Sequence, residues 1–509
     1  MSAPSSAAPS PDAAFATAQL VGDIGKRSRR GGALLLAAQM LRLAGQIGTI
    51  VVLARLLSPS AFGLLAMVGA IGVILDLIKE FGLSAATIQK QEIGHAQVST
   101  LFWINAVVGV LLAAGLVAAA PSLAHFYGQP ELEAIAGWLA IGFAASGLTV
   151  QHWALLRRQM RFGAIAGLET AADYAGFAAA IVLAAMGAGF WALVAQRVVT
   201  PVLLMLGSWL VCSWRPGRPA LSAGLRELLV FGASVTGSGL ASAFSRSIDQ
   251  ILIGWMWGPA LLGLYERTTR LLLLPVNTIN APVYAAAMPA LSRLLDNPDR
   301  YRSLFCQVMQ KLCLLTMPAF ALATVTADWI VEIVLGRAWA EAVPLIALFS
   351  AMATCLPLIM AVALLYMTQA RTGEMLRATL IDAALSVAAI LGGLKWGVVG
   401  VAAALAVASV CLRLPMAIFL STRRGPVAAS QVWRAIAPPA TAALAVAASV
   451  GLIRDFGPAA TLPAMASSAT IALVVTVSVL LAWPETRREL IAALMSLLTL
   501  PRRRRPRPT

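Results

Sequence analysis

The sequence predicts an all-α integral membrane protein of about fourteen transmembrane helices with both ends on the cytosolic side. Three observations predict it. Hydrophobic residues make up 60% of the 509 residues and charged ones 12%, and the mean hydropathy of +0.83 is far too high for a soluble protein of this size. The apolar residues gather into stretches of about 20, long enough to cross a bilayer. Lysine and arginine favour alternate loops.

The stretches cover 33–57, 62–83, 98–120, 134–156, 163–187, 189–211, 228–255, 261–290, 304–326, 342–365, 376–394, 396–420, 434–453 and 462–483. Met1 to Gly25 is rich in Ala, Ser and Pro, and Lys26-Arg27-Ser28-Arg29-Arg30 then precedes the first stretch. That stretch is about 25 residues long and contains Arg42, unlike the short apolar core of a signal peptide, so it reads as retained. With the N-terminus inside, the cytosolic loops hold Lys90, then Arg157, Arg158 and Arg161, then Arg215, Arg218 and Arg226. Later come Arg293, Arg300 and Arg302, then Arg371 and Arg377, then Arg423, Arg424 and Arg434, and last the basic tail. Outer loops hold only Arg337, Lys395 and Arg454, and the longest, Pro121 to Glu133 and Ala327 to Glu341, leave no room for a catalytic domain. The bias fixes the orientation.

A net charge of +16 and the run Arg502-Arg503-Arg504-Arg505-Pro506-Arg507 could suggest nucleic acid, but the loop distribution points to anionic lipid instead. Cys212, Cys306, Cys313, Cys355 and Cys411 lack paired spacing, and His95, His125 and His152 are scattered, so neither a metal site nor a cofactor is indicated.

The chain repeats itself. Ser58-Pro59-Ser60 breaks one apolar run before Phe62-Gly63-Leu64, and Pro259 breaks another before Leu262-Gly263-Leu264, with the same Pro to Gly spacing. Phe126-Tyr127-Gly128-Gln129 is echoed by Val334-Leu335-Gly336-Arg337, the turn ending in Arg161 by the one ending in Arg371, and Gly189-Phe190-Trp191 by Gly397-Val398-Val399. The matches keep one order. An even number of helices per half gives repeats of the same sense, related by an axis along the membrane normal. The expected organisation is a basic tail at 1–30, an N-lobe at 31–214, a C-lobe at 215–425, two added helices within 426–483 and a basic tail at 484–509, with a central cavity between two six-helix lobes.

Certain residues resemble a known family. The segments Ala54-Arg55-Leu56-Leu57-Ser58-Pro59-Ser60-Ala61-Phe62-Gly63, Phe81-Gly82-Leu83-Ser84-Ala85-Ala86-Thr87-Ile88-Gln89, Gly263-Leu264-Tyr265-Glu266-Arg267 and Met288-Pro289-Ala290-Leu291-Ser292 look like those of Wzx-type oligosaccharide flippases, closest to exporters of the colanic acid type. These belong to the superfamily that also holds MATE antiporters and the lipid II flippase MurJ. The resemblance, over about residues 31 to 420, implies movement of undecaprenyl-pyrophosphate-linked oligosaccharide from the cytosolic to the periplasmic leaflet of a bacterial inner membrane. It also implies polysaccharide polymerase and export machinery as partners, with no enzymatic activity of the chain itself.

Charge within the hydrocarbon costs at least about 2.5–3.5 kcal/mol per residue and normally faces a cavity or a partner. Arg42 lies about nine residues into its stretch, roughly 14 Å deep, with Gln39 and Gln46 on the same face. That stripe is the candidate contact for the pyrophosphate, for which a guanidinium fork is well suited; the plainer reading is a pair with Asp76 or Glu80. Arg246 and Asp249 are the second candidate pair for substrate, or a local ion pair; the resemblance favours the cavity, since lipid II flippases carry functional arginines on the matching helices. Glu169 and Asp173, one turn apart with no basic residue on their own helix, are candidates for ion coupling, or partners of Arg197. Arg377, Asp382 and Arg413 read as inter-helix pairs, and Pro275, Pro282 and Pro289 as kinks in the eighth stretch. A cation antiporter would want acidic groups facing the cleft, and a glycan polymerase or ligase a large outer loop, so lipid-oligosaccharide flipping is the first expectation.

Overall fold

The computed structural model describes residues 24–80, 93–220, 225–454 and 461–483, with a few isolated positions between them. The described elements are all helical. The chain divides into two compact units, Met1–Glu266 and Arg267–Thr509.

In the first unit α1 (Ile24–Leu56) ends where Ser58 and Pro59 interrupt it, and α2 (Pro59–Glu80) begins on that proline. Proline suits this place because its fixed φ fits a first turn and its missing N–H would have no partner there. Next come α3 (His95–Tyr127), α4 (Glu131–Gly147), α5 (Val150–Arg158), α6 (Phe162–Ala185) and α7 (Trp191–Val211). The outer loop expected at Pro121 to Glu133 is largely helix. α3 continues through Pro121 to Tyr127 and stops only at Gly128, whose left-handed φ of 65° lets its N–H and that of Gln129 satisfy the last carbonyls. The core of this unit joins Leu101, Phe102 and Ala106 of α3 to Leu155 and Leu156 of α5, Ile165 of α6, and Cys212 and Trp214 beyond α7.

The run α8 (Leu225–Ser292) passes from the first unit into the second. Its break in helical backbone is at Gly258 (φ 79°, ψ −175°), whereas Pro275, Pro282 and Pro289 sit inside continuous helix. The break falls between the seventh and eighth apolar stretches of the sequence, at a glycine, the residue to which positive φ costs least.

The second unit continues with α9 (Pro298–Val325), short helical turns over Ala327–Ile330, Val331–Leu335 and Arg337–Ala342, then α10 (Val343–Ala353), α11 (Leu356–Thr368), α12 (Thr372–Gly393) and α13 (Gly397–Ala408). A π-turn at Ser409–Arg413 leads into α14 (Leu414–Thr422), followed by α15 (Ala429–Arg454) and α16 (Leu462–Ala482). Its core runs from Leu291 of α8 through Tyr301, Phe305 and Met309 of α9 to Leu358 and Leu365 of α11, Ile418 of α14, and Val432 and Ile436 of α15. α16 joins α15 through Val446, Val450 and Ala472. At one end Arg454 binds the Asp328 carboxylate and the Val325 carbonyl, fastening α15 to the end of α9.

Twelve described helical runs are long and apolar enough to cross a membrane. Fourteen were expected; Ser247–Ser292 and Thr372–Thr422 each run together what the sequence divides into two.

The echoes in the sequence have matching conformations. Gly128 and Gly336 have φ of 65° and 93°, Gly189 and Gly397 of 59° and 75°, and the non-glycine residues Met160 and Ala370 of 54° and 55°. Arg161 donates to the Val211 carbonyl at 3.0 Å, and Arg371 donates to that of Ser421 at 3.0 Å. In each case the arginine after a left-handed residue ties its turn to the end of a later helix, which is what a duplicated lobe requires.

Candidate substrate and ion site

α1 packs against α6, and small groups let it come close. Tyr174 of α6 donates its hydroxyl to the Leu41 carbonyl at 2.8 Å, and its ring occupies the space that a side chain at position 45 would need, which Gly45 leaves open. The contact brings Arg42 to the carboxylates of α6. Its Nε donates to Asp173 Oδ2 at 2.7 Å and its Nη1 donates to Glu169 Oε2. Because Glu169 and Asp173 are four residues apart, both face the same neighbour. The three side chains are 30%, 24% and 21% exposed, so the cluster opens on one side and is packed on the other.

Two sets of residues that the sequence left apart are thus one site. Arg42 does not pair with Asp76, which is held by Lys79 at 2.7 Å, and the side chain of Glu80 lies outside the described residues. Arg42 of α1 supplies a charge facing Glu169 and Asp173. Arg42 lies within the apolar part of α1, which runs on from Ala37 to Leu56. Glu169 and Asp173 lie within the apolar span Phe162–Ala185. Gln39 is exposed on the same face of α1 and Gln46 is half-buried.

One guanidinium against two carboxylates leaves a formal charge of −1. Among the described residues the carboxylates take two of the five N–H groups of Arg42, by its Nε and Nη1, and leave three for an incoming acceptor. The acids orient the fork without filling it.

Of the second candidate pair only Asp249 is described. The side chain of Arg246 lies outside the described residues, and among the described ones Tyr265 donates its hydroxyl to Asp249 Oδ2 at 2.7 Å and the Gln250 amide donates to Oδ1 at 2.8 Å. Asp249 and Tyr265 stand on opposite sides of the break at Gly258, so their bond braces the two arms of α8. Tyr265 of the segment Gly263 to Arg267 thus has a structural task in this chain.

The segment Phe81 to Gln89 finds a partial explanation as well. Thr87 donates to Gln151 at 2.9 Å, Gln151 donates to Asn105 at 3.0 Å, and Asn105 donates to the Lys79 carbonyl at 3.1 Å, while Arg158 donates to the Thr87 carbonyl. Thr87, Gln151 and Asn105 are fully buried. This network fastens the connection after α2 to α3 and α5, and nothing in the spacing of these residues announces it. In the second unit Arg413 grips Asp382 with two bonds, Nε to Oδ1 at 2.7 Å and Nη2 to Oδ2 at 2.9 Å, the inter-helix pair the sequence suggested.

All-helical runs of spanning length, with turns that recur in matching conformations and charged groups on facing helices, define a polytopic membrane protein. The fold matches the lipid II flippase MurJ in an inward closed conformation with a TM-score of 0.73 at 12% identity, covering 90% of this chain and 100% of that one. An inward-facing multidrug resistance MATE family transporter of the MOP superfamily matches with a TM-score of 0.58 at 13% identity, over 76% of this chain and 98% of that one. Residues 52–344 match the family model described as polysaccharide biosynthesis protein, and the chain belongs to that family. Among its relatives are the lipopolysaccharide biosynthesis protein WzxC of Escherichia coli (strain K12), 24% identical over 69% of this chain and 72% of that protein, and the teichuronic acid biosynthesis protein TuaB of Bacillus subtilis (strain 168), 28% identical over 54% and 57%.

Proposed function

We propose that the protein is a flippase that moves undecaprenyl-pyrophosphate-linked oligosaccharide repeat units from the cytosolic to the periplasmic leaflet of the inner membrane by alternating access, for surface polysaccharide biosynthesis. The observation that carries this reading is the Arg42 fork, aimed by Glu169 and Asp173 with three N–H groups left over, inside a fold shared with MurJ. A pyrophosphate offers the paired oxygens that a guanidinium binds in two-pronged fashion. In this reading the lobes span 31–214 and 215–425, the helices number fourteen with both ends cytosolic, and α15 and α16 are the added pair. Gln39 and Gln46 extend the polar stripe beside Arg42, Arg246 is its counterpart in the other half, and Glu169 and Asp173 are the groups through which an ion would couple. The polymerase that consumes the flipped unit is the expected partner.

Arg42→Ala should abolish glycan export while the protein stays at normal abundance in the membrane. Normal export by that variant removes Arg42 from the site. In a strain lacking the protein, the lipid-linked oligosaccharide should accumulate on the cytosolic side.

The formal charge of −1 at the cluster favours a second reading, an antiporter of organic cations like the MATE neighbour. Raised tolerance to cationic drugs on expression, lost in Glu169→Gln, would select it.

A further inference from the structure

The two Pro to Gly motifs of the sequence meet in space. A Cβ added at Gly63 would collide with the carbonyl and Cα of Pro259, and one added at Gly263 would collide with the Pro59 carbonyl and crowd the Gly63 nitrogen. Each motif's glycine therefore seats the other motif's proline carbonyl. The contact is backbone on backbone, of the kind that Cα–H to carbonyl approach allows only where side chains are missing. Beneath it Met67 is fully buried, as are Ile253 and Leu262. Beside it the end of α3 holds the arm of α8 that precedes Gly258: Phe126 stacks on Trp255 at 6.0 Å between centroids and 11° between planes, and Tyr127 lies against Gly254.

We propose that this reciprocal seating is a latch that closes the outer end of the transport path, and that Gly63 and Gly263 set how tightly it shuts. Apolar side chains interlocked across a seam must repack before they part, whereas two backbones touching at glycines separate without any rotamer change. The break at Gly258 gives the α8 arm a pivot next to the contact, and the Tyr265 to Asp249 bond limits its swing. The seating is symmetric between the motifs, so a methyl group on either glycine should open it in the same way. That the latch gates a glycan rests on the flippase reading; that it closes does not.

The test places a cysteine beneath the latch. In Met67→Cys, a membrane-impermeant maleimide added to intact cells should label little above the parent chain. Adding Gly63→Ala or Gly263→Ala should raise labelling about tenfold, as expected of overpacking that tips a two-state equilibrium. Gly69→Ala, on the same helix with open space at its Cβ, should leave labelling unchanged. Equal labelling in all four proteins overturns the latch, as does an equal rise with Gly69→Ala. Should the alanine variants fail to accumulate, Trp255→Ala decides, since it removes the stacked ring without adding bulk: raised labelling supports the latch and unchanged labelling overturns it. Because labelling needs no substrate, a failed latch with Arg42-dependent export intact leaves the flippase reading standing, and a working latch without glycan export leaves only that reading in error.

Discussion

Removing Arg42 should cost stability and transport for different reasons, and the two can be separated. At an effective dielectric of about 20, opposite charges about 4 Å apart attract by about 4 kcal/mol before desolvation is subtracted. Truncating one partner of a buried pair costs about 3–5 kcal/mol, mostly because the other charge is left alone. Here the carboxylates are 24% and 21% exposed, and partial solvent contact brings the expectation for Arg42→Ala down to about 2–3 kcal/mol. Adding Glu169→Gln and Asp173→Asn removes the stranded charges and should restore most of that loss, while export stays absent because no guanidinium faces the pyrophosphate. The assay pairs the unfolding of purified protein in lipid nanodiscs with glycan export in a strain that lacks the native copy. Export by the triple variant would refute the role given to Arg42. A triple variant as unstable as Arg42→Ala would refute the charge balance drawn for the cluster.

Three further outcomes follow from single contacts. Glu169→Gln removes one of two acids competing for Arg42, so a pyrophosphate-linked lipid should bind about tenfold tighter, or about 1.4 kcal/mol, and leave more slowly, with export falling; weaker binding would show that the acid does not compete. Tyr265→Phe leaves an Asp249 oxygen without its donor and should cost about 1–3 kcal/mol, and in a double-mutant cycle with Asp249→Asn the losses should fail to add. Ala370→Gly should stabilise the protein by about 0.5–1 kcal/mol, because Ala370 holds a φ of 55° at a cost glycine avoids; a loss of stability would show that the side chain contributes packing that outweighs the strain.

Much of the fold was legible because the bilayer enforces simple rules. Helices of about 20 apolar residues, basic residues in alternate loops and repeated turns can all be read from one chain. The turns are legible for a local reason: Gly128 and Gly336, or Gly189 and Gly397, recur where the backbone needs positive φ, and that need leaves its mark in residue type. Side-chain partners leave no such mark. Arg42 and Glu169 are 127 residues apart, and their pairing depends on which helix lies next to which, so a lone arginine and a lone acidic pair were read as separate sites. One signal was available, since two carboxylates on an apolar helix with no base of their own need a cation from another helix. The Thr87, Gln151 and Asn105 network was hidden altogether, because uncharged polar residues in apolar helices are common and their spacing carries no periodic cue.

The carboxylates beside Arg42 bear on transport as much as on stability. An unpaired guanidinium in a low-dielectric path would be costly to insert, and it would hold a pyrophosphate too firmly to let it go. A permeating species must be bound well enough to enter and weakly enough to leave. In the flippase proposed here Glu169 and Asp173 would meet both conditions, neutralising Arg42 when the path is empty and competing for it when the path is loaded. The arriving phosphate gains only the difference between its own bonds to the fork and those the acids already make. The second carboxylate of the cluster would then work against retention, pushing the phosphate away once the guanidinium no longer holds it. Asp382 and Arg413 balance each other one to one, so they carry no such bias and serve to join helices. The difference between the two sites is one acid. On this reasoning it is that acid, more than the arginine, that turns a binding site into a transport site.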